Sequence, residues 1–199
     1  LDEARSIIAD AVKEGDNTIG EKYGITVRIG EDAVKVQPWD YQLEPEVLAP
    51  VLQKELQLLE QRLALYPEAV LQQTKDHFTG LTVCLVRQII GTADDQNLSR
   101  ATGIQFFLEN EAYVVITTGK YSEQALYHEL YHVMETHILT KSTALDQWES
   151  LNPAEFVYGS DQQNSDVYLQ GQTRAFIDRY SMGYPKEDRA RVLENAMLQ

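Results

Sequence analysis

The chain has 199 residues, 43% hydrophobic and 24% charged, the proportions of a soluble globular domain with one core. Asp and Glu number 31 against 17 Lys and Arg, a net charge of −14, and the absence of any basic cluster argues against nucleic acid as a partner. No run approaches the roughly 20 apolar residues of a membrane span, the first ten residues lack the pattern of a signal peptide, and the single cysteine, Cys84, excludes an internal disulfide and a cysteine-rich metal site.

Residues 2–14 place Ala4, Ile7, Ile8, Ala11 and Val12 at helical spacing before Gly15, which predicts a helix with one apolar face. Residues 23–29 read as a strand, and Gly30-Glu31-Asp32 turns into a short run at 34–37 before Pro38, so a hairpin is expected. The longest helical pattern, 46–65, carries Val47, Leu48, Val51, Leu52, Leu56, Leu59 and Leu63 on one side and stops at Tyr66-Pro67. Burial of that stripe within its own domain is expected over pairing with a partner helix.

Residues 81–90 are too continuously apolar and β-branched for a solvated helix and predict a buried strand. Cys84 within it is expected to pack as a small hydrophobe, because nothing nearby resembles an activating base. After a polar stretch at 91–100, residues 104–108 and 113–117 predict a hairpin around Glu109-Asn110-Glu111. It feeds a helix at 122–139, with Ser122 as N-cap and Ala125, Leu126, Val133, Met134 and Ile138 facing the core. Residues 140–166 read as a long ordered loop, and short helices at 167–180 and 186–198 complete the chain. With no repeat or domain boundary visible, residues 1–199 are expected to form one domain. Its sheet and motif helix would occupy residues 1–139 and a mostly helical part residues 140–199.

The chemistry concentrates in His128-Glu129-Leu130-Tyr131-His132. On a helix, positions four apart share a face, so both imidazoles reach one metal ion while Glu129 flanks it. Imidazole nitrogen suits zinc, and three protein ligands leave a fourth position open for water. With four histidines and 18 glutamates in the chain, this HExxH string arises by chance in roughly one such sequence per hundred, and its helical setting after a hairpin lowers that further.

A metzincin-type third ligand would need Gly at 135 and His at 138, where the sequence has Glu135 and Ile138. His137 is about 100° out of register and reads as a helix C-terminal histidine. The other common solution is a glutamate on a later helix, and Glu187 opens the amphipathic segment after Tyr184-Pro185, with the small Ala190 beside it on the same face. Glu187 and Asp188 read equally well as first-turn acids complementing a helix dipole, and the residues alone leave these two readings level.

Three strings, YHELYHVMETHIL, WESLNPAEFVYG and FIDRYSMGYPKEDRARVLENAM, cover most of residues 127–197. They resemble the glutamate-zincins, in particular small secreted or lipid-anchored zinc peptidases of Gram-positive bacteria. Within that resemblance Glu187 matches the third zinc ligand and Tyr180 a catalytic tyrosine. The same Tyr and Glu spacing occurs in anthrax lethal factor and in the secreted clostridial endopeptidase that cuts between prolines.

The resemblance implies one catalytic zinc ion on His128, His132 and Glu187, with Glu129 as general base toward a metal-activated water and Tyr180 as oxyanion stabiliser. It implies an α+β zincin-like fold, a small twisted mixed sheet with the active-site helix beneath it, acting as an endopeptidase on a protein or peptide in extended conformation. The strand at 113–117 resembles the edge strand to which such a peptide adds. An extracellular or envelope-attached location is implied too. A non-catalytic zincin-fold protein that holds a peptide or cell-envelope partner is the alternative.

Trp148, Asn152, Phe156 and Tyr158 are expected to pin the loop beneath the cleft more than to line it. Asp178, Asp188 and Arg189 read either as groups that orient the ligands or as surface ion pairs.

Overall fold

The computed structural model describes residues 19–77, 79–92, 99–137, 139–160 and 175–199. The helix expected at 2–14 lies outside them. In chain order the elements are β1 (Ile25–Arg28), β2 (Tyr41–Pro45), α1 (Ala49–Leu63), α2 (Glu68–His77), β3 (Gly80–Gly91), β4 (Arg100–Ala101), β5 (Gly103–Leu108), β6 (Glu111–Thr117), α3 (Ser122–His137) and α4 (Pro185–Met197). Short 3-10 segments lie at Gly30–Val34, Leu139–Lys141, Thr143–Leu151 and Tyr180–Met182.

A six-stranded mixed sheet forms around β3. Its first half is flanked by β1 and β6, both parallel to it, and its second half by β2 and β4, both antiparallel. β5 pairs antiparallel with β6 and forms the outer edge.

Side chains alternate faces along a strand, and here both faces are covered. Leu81, Val83 and Leu85 of β3 and Ala112, Val114 and Ile116 of β6 join the helices in one core. Cys84, Val86, Val115 and Tyr113 join Leu43, Ile104 and Ala33 on the opposite face. That double burial is why Val83 to Val86 reads as a continuous apolar run.

The hairpin expected from 23–29 and 34–37 is not formed. Gly30, at φ 57°, turns the chain into the 3-10 segment Gly30–Val34, whose Ala33 is buried against the sheet. The chain then reaches the far half of β3, so β1 and β2 each pair with β3 and not with one another. The hairpin of β5 and β6 does form. Glu109 and Asn110 both take positive φ, 51° and 67°, the left-handed pair a tight hairpin turn uses.

α1 starts at Ala49, where Pro50 suits the first turn, and its Leu52, Leu56, Leu59 and Leu63 are buried. Val47 and Leu48 fall before it and are exposed, so the apolar stripe is shorter than the sequence pattern. α2 is a helix that hydropathy did not single out. Of the helix expected at 167–180, the described residues 175–180 form bends and turns that enter the 3-10 segment Tyr180–Met182.

α3 lies against the sheet with Ala125, Leu126, Leu130, Val133 and Met134 in the core, and it packs on β5, β6 and α4. Ser122 is its first residue and not its N-cap. The Ser122 hydroxyl donates to the Gly119 carbonyl at 2.8 Å and accepts from Arg62 at 3.0 Å. The Gly119 N–H in turn donates to Glu55 at 3.0 Å, so buried groups of α1 fix the turn that launches the motif helix. Among the described residues no helix is long and apolar enough to cross a membrane.

Candidate metal centre

α3 and α4 are antiparallel partners at the base of the cleft, and the small Ala190, fully buried, lets them approach. Their ends are tied by Arg189, whose Nε donates to Glu135 at 2.6 Å. This packing brings Glu187, in the first turn of α4, onto the face of α3 that carries His128 and His132.

The three ligand atoms converge. His128 Nε2 lies 3.1 Å from His132 Nε2 and 3.1 Å from Glu187 Oε2, and His132 Nε2 lies 3.2 Å from the same oxygen. Neighbouring ligands of a tetrahedral zinc ion with bonds of about 2.1 Å sit about 3.4 Å apart, so the trio fits such an ion with a small expansion. All three side chains are buried. Two imidazoles and a carboxylate aimed at one point share too few protons to satisfy each other, which is the chemistry of a cation site.

Burial disfavours charge on His128, but the carboxylates of Glu187, Glu194 and Glu129 outweigh it and push its pKa up to about 9 in the metal-free protein. Burial pushes Glu187 the other way, yet its hydrogen bonds to the two histidines hold it well below the usual carboxylate range. Glu129 has no such partner. Burial pushes its carboxyl up to about 7, only partly offset by His128 and His132, which suits a group that must both take and return a proton.

Tyr180 stands at the mouth, with its ring 6.0 Å from that of His128 and the Glu187 carboxylate among the groups that act on its hydroxyl. Burial and the Glu187 carboxylate push its pKa up, so the phenol stays protonated and remains a donor. The sequence-expected residues His128, Glu129, His132, Tyr180 and Glu187 are therefore all at one place. His137 closes α3, and its side chain lies outside the described residues.

Two contributors were not singled out from sequence. Glu194, buried two turns beyond Glu187, places Oε2 3.4 Å from His128 Nδ1, and Arg191 bridges it to Asp178. A carboxylate behind a metal-binding histidine fixes its tautomer and ring orientation. The i, i+7 spacing from Glu187 was the signal for it. Gly103, the first residue of β5, is the other. A Cβ there would fall 2.8 Å from Glu129 Cγ and 3.0 Å from Ala125 Cβ, so only glycine lets β5 lie this close to α3.

The 3-10 segment Thr143–Leu151 and the turn after it are pinned to α4 at Asp188. Trp148 Nε1 donates to Asp188 Oδ2 at 2.9 Å and the Tyr158 hydroxyl at 2.7 Å. Phe156 packs against Tyr158 and Phe176, with centroids 4.8 Å and 4.3 Å away. These aromatics brace the Glu187 end of the helix from behind.

The cleft has three adjoining lobes. One of about 350 Å³ runs from Arg100 past Gly103 and Glu129, one of about 260 Å³ covers the His, His and Glu cluster, and one of about 520 Å³ lies toward Tyr184 and Lys186. Gly103, Ile104 and Gln105 of β5 form one wall. The strand beside the cleft is thus β5, for which β6 is the one paired strand among the described residues, whereas the strand expected for this role, 113–117, lies between β3 and β5 with both edges paired.

No protein-family model matches the chain, and no curated protein matches it. Among solved structures its fold is similar to that of a candidate zinc-binding metallo-peptidase from Bacteroides caccae ATCC 43185, with a TM-score of 0.57 and 16% identity, over 96% of this chain and 72% of that one. The chain has a zinc-metallopeptidase-like α+β fold.

Proposed function

We propose that this protein is a zinc-dependent endopeptidase of glutamate-zincin type, acting on extended protein segments outside the cell or at its envelope. The observation that carries the proposal is the convergence of His128, His132 and Glu187 at 3.1–3.2 Å with the buried Glu129 carboxylate beside them. The peptidase-like fold of the Bacteroides caccae protein supports it.

When bound by these three side chains, zinc supplies a Lewis acid for the scissile carbonyl and lowers the pKa of a water. Glu129, buried beside the cluster, accepts the proton of the attacking water and delivers it to the leaving amine. Tyr180 presents its protonated phenol to the oxygen on which negative charge develops. The cleft-lining part of β5, Gly103 to Gln105, offers backbone donors and acceptors to an extended peptide.

The test is Glu129→Ala. The variant is expected to keep one zinc per chain, measured by elemental analysis, and to lose cleavage of a peptide library by at least about a hundredfold. Hydrolysis at the wild-type rate would sink the mechanism.

A further inference from the structure

The charge on the walls of the cleft runs opposite to that of the whole chain. Acids outnumber bases 31 to 17 overall. Yet the carboxylates that line the three lobes, Glu129, Glu187 and Glu194, are all buried and directed to the metal cluster. The charges that reach solvent there are cationic. Arg100 borders the first lobe, Lys186 borders the central and last lobes, and Arg179 also borders the last.

With the Gln88 amide turned so that its nitrogen donates to Glu44, its oxygen accepts from Arg100 at 3.2 Å, a neutral partner. Lys186 approaches Glu187 Oε1 at 3.7 Å with 59% of its side chain exposed, while the other oxygen of Glu187 faces the two histidines. Arg191, which also borders the Arg100 lobe, is committed to Asp178 and Glu194 and is not available to a ligand. The central lobe shares Gly103 and Glu129 with the first and Tyr180, Lys186 and Glu187 with the last. A chain lying across the cluster along β5 therefore passes Arg100 on one side and, on the other, the largely exposed Lys186, which shares Glu187 with the histidines.

We infer that the cleft selects peptides carrying acidic side chains on both sides of the bond held over the cluster, one read by Arg100 and one by Lys186. This rests on the endopeptidase reading above and names its substrate class. The net charge of −14 does not prevent it. At physiological ionic strength the Debye length is about 8 Å, so the distant acids are screened while a cation in contact with the peptide is not.

The experiment compares matched extended peptides that carry Glu, Gln or Lys at the flanking positions. Binding is measured by fluorescence anisotropy on zinc-loaded Glu129→Gln protein, and cleavage by mass spectrometry on the zinc-loaded wild type. The Glu peptide is expected to bind about two- to fivefold more tightly per acidic residue than its Gln counterpart, the range an exposed ion pair supplies, with Lys weakest. Arg100→Glu should abolish the preference on one side and Lys186→Glu on the other, and the neutral variants Arg100→Ala and Lys186→Ala should do the same more weakly. Equal binding of the three peptides, or better binding of the Lys peptide, would overturn the inference, as would no binding at all. Cleavage without a charge preference would leave the endopeptidase reading standing without this one. Selective binding of the Glu peptide with no wild-type cleavage would leave the acidic preference standing and remove the peptidase.

Discussion

Tyr180 is more than half exposed, a costly placement for an aromatic ring unless it meets something in the cleft. The Glu187 carboxylate favours its protonated phenol, which on the proposed mechanism donates to the substrate oxyanion. Tyr180→Phe removes one donor and leaves the ring. The expected outcome is a drop in kcat of about 10²- to 10³-fold with KM little changed and zinc content intact, read by steady-state kinetics. A rise in KM at constant kcat would assign the residue to ordinary substrate binding. His128 and Glu187 are each shifted in the direction that favours the charged form.

At the scale of elements, the site exists because three secondary structures approach unusually closely. α3 and α4 meet over Ala190, and β5 meets α3 over Gly103. Gly103→Ala forces either the strand or the Glu129 side chain to move, and misplacement of a reacting group by about 1 Å costs about a hundredfold. A fall in kcat/KM of about ten- to a hundredfold, with zinc content unchanged, is expected from steady-state assays, and full activity in this variant would show that the Gly103 contact does not position Glu129.

Much of this scale was legible in the sequence. His128, Glu129 and His132 announce themselves by helical spacing, and the β5 and β6 hairpin by its turn residues. What was not legible depends on tertiary pairing. No pattern in 23–45 says that β1 and β2 both join the same distant strand, β3, and the run 34–37 looks strand-like because Val34 and Val36 are apolar, partly buried residues. Glu194 reads as one acid among several on α4 until His128 is seen behind it. The edge strand was misplaced by one position because a hairpin does not declare which of its strands finds a further partner.

For the whole molecule, the sheet is enclosed on both faces, and Cys84 reports on that enclosure. Burial pushes its thiol up to about 12, against about 8.5 in an unfolded chain. The folded state favours the neutral thiol, so the stability Cys84 contributes is fully present below about pH 8.5 and is lost as pH rises from there toward 12. Tyr131 and Tyr158, both raised by burial to about 12, add to the alkaline loss above their ordinary value near 10. Chemical denaturation from pH 7 to 10.5 should show stability falling above about pH 8.5, and Cys84 should resist alkylation at pH 8 until the chain unfolds. Rapid labelling of the native protein would mean that β3 is accessible.

The zinc content of the wild-type chain beside Glu187→Ala, after metal stripping, zinc challenge and removal of excess metal, tests the central claim most directly. The account predicts one zinc per chain in the wild type and a loss of at least tenfold in affinity in the variant, with the fold retained by circular dichroism. A wild type that takes up no zinc, or a variant that holds it as tightly, would contradict the assignment of His128, His132 and Glu187 as the metal centre.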